Sequence, residues 1–222
     1  MKKILVLSFA IVFAMNLAAQ RGLSVGVRLI PQATGLLNKQ DFDEGDGLNF
    51  EKTIGFAGGL AVGYGFSDNF GVMANLLYSK QGQNYINDLL DHQWSVKLNY
   101  FKIPLLLRMN TDPEKKAMFV FEVGPELGFL MNASQSSDDN TNLNVDDYKR
   151  FVNSTDLSLD LHLGAGINFS EKLSADLLLR LNYGFSDITS DELYDYYETL
   201  IVDRDKTNNA TAGFIIGLNY RL

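Results

Sequence analysis

The chain has 222 residues, no cysteine, a hydrophobic content of 46% and a formal net charge of −8. The missing cysteines exclude a disulfide framework, a thiolate metal site and a lipid-modified N-terminal cysteine. The acidic balance argues against a nucleic-acid partner, because phosphate binding needs a basic surface.

The first predicted element covers residues 1–19: Lys2 and Lys3, an apolar run from Ile4 to Met15, then Ala18 and Ala19 before Gln20. This is the layout of a secretory signal peptide cut after Ala19, with roughly a dozen apolar residues where a membrane helix needs about 20. No Pro-rich or Ser-rich linker divides residues 20–222, so they read as one domain. Without Lys2 and Lys3 that domain sets 17 basic against 27 acidic residues.

Eight strands follow, each recognised by a period of two. Residues 23–29 put Leu23, Val25, Val27 and Leu29 on one face and Ser24, Gly26 and Arg28 on the other. Residues 54–66 show Ile54, Phe56, Leu60, Val62 and Tyr64 against a face of mainly Gly and Ala. Residues 70–80 set Phe70, Val72, Ala74, Leu76 and Tyr78 against Asn75 and Ser79. The fourth strand, 94–108, begins with Val96, Leu98 and Tyr100 in apolar phase and then switches to Phe101, Ile103, Leu105 and Leu107. A change of phase needs an extra residue, which predicts a β-bulge near Tyr100 and Phe101.

The fifth strand, 119–131, alternates Phe119, Phe121, Val123, Leu127 and Phe129 with Glu122, Gly124, Glu126 and Gly128. The sixth and seventh, 157–169 and 173–183, alternate leucines with Asp160, His162, Asp176 and Arg180 across a three-residue turn. The eighth, 211–222, sets Phe214, Ile216, Leu218 and Tyr220 against Gly213, Gly217, Asn219 and Arg221. Short turns (67–69, 111–116, 170–172) alternate with long polar connections (31–52, 81–93, 132–155, 186–206), as on the two rims of an outer-membrane barrel. Tyr64, Phe66, Tyr78, Tyr183, Phe185 and Tyr220 fall near strand ends, at the level of lipid headgroups. The mean hydropathy of −0.05 fits strands that hide apolar residues between polar ones.

These patterns predict an all-β, eight-stranded antiparallel up-and-down transmembrane β-barrel in the outer membrane, with apolar faces toward lipid and polar faces enclosed. The enclosed charges are then Arg28, Lys97, Lys102, Arg108, Arg180 and Arg221 with Glu122, Glu126, Asp160 and Asp176. Eight strands leave room only for side chains, and buried charges must pair. The set therefore reads as a salt-bridged filling rather than a pore, with a narrow channel for small solutes as the runner-up. A secreted, soluble lipocalin-like barrel would have to pack the leucine rows of eight strands inside, which overfills the lumen.

His162, two residues from Asp160, reads as a hydrogen-bonded lumen histidine, since no serine or cysteine motif accompanies it. His92 with Asp88 and Asp91 lacks a partner signature as well. No catalytic residue, metal ligand or cofactor is expected.

The long connections hold most of the 27 acidic residues. Asp41, Asp43, Glu44 and Asp46 with Gly45 and Gly47 miss the EF-hand spacing and read as a solvated loop. In the last connection, Thr189 and Glu192 suggest a capping box opening a short helix, with Leu193, Tyr196, Tyr197 and Leu200 at helical spacing. That helix either folds over the mouth as a lid or offers Tyr194, Tyr196 and Tyr197 to a glycan or a partner protein.

The segments Tyr100 to Arg108 (Y-F-K-I-P-L-L-L-R), Glu122 to Leu130 (E-V-G-P-E-L-G-F-L), Gly164 to Phe169 (G-A-G-I-N-F) and the ending G-L-N-Y-R-L resemble the Bacteroidetes outer-membrane β-barrel proteins of the PorT-like group. The resemblance implies an integral outer-membrane barrel surrounded by lipid and delivered by the outer-membrane insertion machinery, with no catalytic motif to transfer. The expected role is structural or interactive, through the acidic extracellular loops or contacts with an envelope protein partner. The chain departs from such barrels in ending on Leu222, with its last aromatic residue at Tyr220.

Overall fold

The computed structural model describes residues 22–40, 49–51, 53–87, 92–112, 115–137, 148–199 and 205–222. The signal peptide expected over 1–19, the acidic group from Asp41 to Asp46, and Asp88 and Asp91 lie outside the described residues.

The described elements are β1 (Leu23–Asn38), β2 (Asn49–Glu51), β3 (Thr53–Gly65), β4 (Phe70–Asn87), β5 (His92–Asn110), β6 (Ala117–Ser137), β7 (Thr155–Asn168), β8 (Leu173–Gly184), α1 (Asp191–Thr199) and β9 (Thr207–Arg221). Their sheet order is β2-β4-β3-β1-β9-β8-β7-β6-β5, and a further β4–β5 pairing closes it. Eight antiparallel strands thus form a ring, and β2 only extends the β3 side of β4 at one end, pairing Phe50 with Tyr85. Closure satisfies every strand from its neighbours, the condition for a sheet to cross lipid. No helix among the described residues is long and apolar enough to cross a membrane.

The polarity is inside out relative to a soluble barrel. Leu60 and Leu177, both on the outer wall, keep 58% and 59% of their surface, whereas Arg180 keeps 1% and Glu126 none. Such an apolar exterior around buried charges is stable only where the outer solvent is lipid. The start of β1 and the end of β9 meet at the rim of short turns, where the Leu222 N–H donates to the Leu23 carbonyl.

Several predicted boundaries move outward. β1 continues through Pro31 to Asn38, and β4 and β5 run to Asn87 and from His92, so most of the expected 81–93 loop is strand. Proline is tolerated because the ladder to β9 skips it, pairing Leu29 with Ile216 and next Gln32 with Gly213, while on the β3 side Pro31 stays opposite Phe56. β4, β5 and β6, at 18, 19 and 21 residues, are about twice the 9–11 that cross a bilayer. Their upper halves therefore stand above it on the long-loop side.

A β-bulge does lie at the expected place, between Asn99 and Tyr100 of the β5–β6 ladder, but it is not what changes the apolar phase of the fourth strand. Val96, Leu98 and Tyr100 are buried inside, in step with Lys102, Leu106 and Arg108, so β5 keeps one phase throughout. The irregularity sits on its partner: Asn99 pairs with Asn132 but Tyr100 with Leu130, leaving Met131 of β6 as the extra residue. What inverts along β5 is the solvent. Below Tyr100 the outside is lipid and apolar residues face out; above it the outside is water and they face in. Lys97, grouped with the lumen charges by the alternation, therefore points outward and is exposed.

Candidate functional site

The strands together enclose a polar lumen, and nine ionisable side chains run through it as a ladder. At the short-turn end the Arg28 Nη2 lies 3.7 Å from the Asp176 Oδ2. Arg108 donates to both Asp176 oxygens at 2.8 and 2.9 Å, and to the Glu122 Oε1 at 2.7 Å. The other Glu122 oxygen meets the His162 Nδ1 at 2.8 Å, and the His162 Nε2 stands 3.6 Å from Asp160. Arg180 then donates to Asp160 at 3.0 Å and to Glu126 at 2.7 Å, and the Lys102 Nζ donates to Glu126 at 2.8 Å.

Neutral groups fill remaining valences: Asn219 accepts from Arg28 and donates to Asp176, while Asn182 and Ser158 donate to Glu126. The alternation places these groups on β5 to β8, with Arg28 added from β1 and Asn219 from β9. Because Glu122 pairs across with His162, and His162 with Arg180, the register stacks one rung on three adjacent strands. An apolar cluster shares the lumen with the ladder, Ile30, Ala57, Leu77, Leu178 and Ile215 packed with Met118 and Val120, while Gln32 and Ser79 on β1 and β4 bond to each other and Arg180 reaches Gln32.

Arg221, also assigned to this set by alternation, is exposed. As the last residue of β9 it lies beyond the depth at which side chains enclose one another, and it lines the mouth instead. Asp156, which the reading of the sequence passed over, is 1% exposed and accepts from the Asn209 Nδ2 at 2.9 Å. Its signal was available, since it continues the inward series Asp156, Ser158, Asp160, His162.

The two ends of the lumen differ. At the long-loop end Leu36, Tyr85, Val96, Leu98, Tyr100, Leu130 and Ala133 form an apolar cap completed by Val152 and Ile188. The last two arrive from the loops: Val152 bridges to Thr189, and the Asn153 N–H donates to the Ile188 carbonyl at 2.8 Å. Trp94 packs against this cap and stacks on Tyr85 at 5.1 Å. The short-turn end is an open vestibule of about 740 Å³, lined by Met73, Arg108, Asn110, Met118, Asn219 and Arg221 among others.

The loop helix exists as α1, with its start shifted. Thr189 is buried in the bridge to Val152, and Ser190 takes the capping place: its carbonyl accepts from the Tyr194 N–H, and its hydroxyl donates to the Arg150 carbonyl. The Thr189–Glu192 capping box is thus replaced, because Thr189 is committed to the cap. Tyr194 donates its hydroxyl to Asp187 at 2.6 Å; the side chains of Tyr196 and Tyr197 lie outside the described set. Among the described residues, no three His, Asp or Glu side chains are arranged to hold a metal ion.

A family model for the outer membrane protein beta-barrel domain matches residues 14–190. Neisserial surface protein A is similar in structure, with a TM-score of 0.50 and 11% identity over 90% of this chain and 97% of that one. The outer membrane protein OprG from Pseudomonas aeruginosa is similar at a TM-score of 0.51 and 14% identity, over 91% of this chain and 95% of that one. At such identities the likeness concerns the fold. No curated protein matches the chain. With a closed eight-stranded ring, a lipid-facing apolar wall and a family match over most of its length, the chain belongs to the outer membrane protein beta-barrel domain family and resides in the outer membrane.

Proposed function

We propose that this protein is a non-conducting, non-enzymatic barrel that serves as a membrane-held scaffold and works through the surface it raises above the outer leaflet. The observation that carries this reading is the double obstruction of the lumen: a ladder of paired charges across its middle and an apolar cap above it. Opening a path would break several buried ion pairs at once, each costing about 3–5 kcal/mol when one partner is removed. His162, 1% exposed and held against Glu122, is out of reach of any substrate at either rim.

What remains accessible is the tall wall of β4, β5 and β6 with the acidic connections around it. In this reading, a partner in the envelope or outside the cell docks there, residues 1–19 direct export, and insertion machinery places the barrel in lipid. Kinship with the PorT-like group is part of the same proposal and rests on the segments Tyr100 to Arg108 and Glu122 to Leu130.

Planar-bilayer recording of purified protein tests the central point. The expected result is a flat baseline at all voltages that the membrane tolerates; regular single-channel steps from the wild-type protein would replace the scaffold by the narrow-channel reading.

A further inference from the structure

The outer wall is almost free of charge. Among the described strand residues, the outward-facing cations are Lys80 on β4 and Lys97 on β5, and the outward-facing carboxylate is Glu51 on β2; all three are exposed. The pairing register puts Lys80 opposite Asn99, and Lys97 lies two residues along β5 from Asn99, opposite Gly82. The two lysines are therefore diagonal neighbours, within about 7–8 Å at their Cα atoms. Neither makes an ion pair with a described residue, and like charges this close repel unless an anion lies between them.

Their height on the barrel is informative. A strand tilted by about 40° climbs roughly 2.5 Å per residue. Phe70 and Met109 pair at the short-turn end of the lipid-facing wall, and Lys80 and Asn99 pair ten residues further along both strands. That is a climb of about 25 Å, the height of the apolar band of such barrels. Lys80 stands directly beside Phe56, and the next outward pair below is Tyr78 with Phe101. The lysines thus sit at the upper edge of the apolar band, among aromatic rings, where the headgroups of the outer leaflet lie.

We infer that Lys80 and Lys97 form a binding site for the phosphorylated headgroup of an outer-leaflet glycolipid, with the acyl chains lying on the apolar wall beneath. A phosphate between the two ammonium groups relieves their repulsion, and the Phe56, Tyr78 and Phe101 side chains anchor the barrel at that depth. The site lies outside the lumen, so it holds whether or not the barrel conducts.

The test uses the full mature protein, refolded in detergent without lipid and titrated with diphosphoryl lipid A, with binding read by native mass spectrometry. The expected result is a complex with wild type that weakens about 30-fold in K80Q/K97Q, near a fivefold factor per lysine. It should survive in K80R/K97R and in the turn control K115Q/K116Q. Heat-modifiable migration on gels confirms that each variant is folded. Equal binding by wild type and K80Q/K97Q, or equal binding of fully dephosphorylated lipid A, overturns the inference. So does displacement of lipid A by millimolar inorganic phosphate, which would make the site a reader of the free anion.

Discussion

The two ends of the lumen are built from the same strands and closed by opposite means. At the short-turn end, connections of a few residues cannot reach across the barrel, so an open vestibule remains and the first barrier is the charged pair of Arg108 and Asp176. At the other end the described parts of two long connections deliver Val152 and Ile188 to an apolar cap. The lesson is that loop length, rather than strand pattern, decides how a barrel mouth closes: long loops allow hydrophobic sealing, and short turns leave electrostatics to do it.

Accessibility gives the largest contrast. Because the chain has no cysteine, a single one can be placed at will. Cysteine at Ser174, in the vestibule lining, should react with a charged maleimide added to open vesicles, whereas cysteine at Ser158, 1% exposed inside, should remain unlabelled. Comparable labelling of both would mean that the ladder is permeable and would erase the distinction.

The next largest effect should come from the ladder. Arg180→Leu leaves Asp160 and Glu126 without their shared guanidinium and should cost about 3–5 kcal/mol, read as a lower denaturant midpoint in micelles. An unchanged midpoint would show that the ion pairs contribute no net stability.

Within the cap, Leu98→Ala removes a fully buried side chain and should cost about 2–5 kcal/mol. Met118→Ala, beside the open vestibule, should cost less, because water can enter the space it leaves. The reverse order would argue that the vestibule is the better packed end.

The smallest change is Ile188→Val, at about 0.5–1.5 kcal/mol. Its signature should be local: faster hydrogen exchange over residues 148–154 with the strand amides unchanged. Exchange that quickens throughout the barrel would mean that cap and ladder unfold as one unit.

Much of the fold was legible because a β-strand has only two faces. Glu122, Glu126, Asp160, His162 and Arg180 were placed inside by counting in twos, and they are inside. The same count misplaced Lys97, because it assumed one outer solvent along the whole strand. β5 leaves the lipid near Tyr100, and from there the outside is water. An apolar row that changes face at that height marks the edge of the membrane, and the backbone need not slip to produce it. Thr189 was misread for a related reason: its pattern fits a helix cap, but the stronger demand came from Val152 across the barrel mouth.

By itself the sequence determined the strand count, the inward or outward side of each residue within the lipid band, and the order of short and long connections. These follow from local periodicity and from the absence of long apolar helices. Only the tertiary structure decided which charge meets which, where β6 carries its extra residue, how far the strands rise above the lipid, and that one mouth is sealed while the other stays open. Those depend on register and on contacts between residues far apart in the chain, such as Arg180 with Glu126 and Val152 with Thr189, and a period of two contains no information about either.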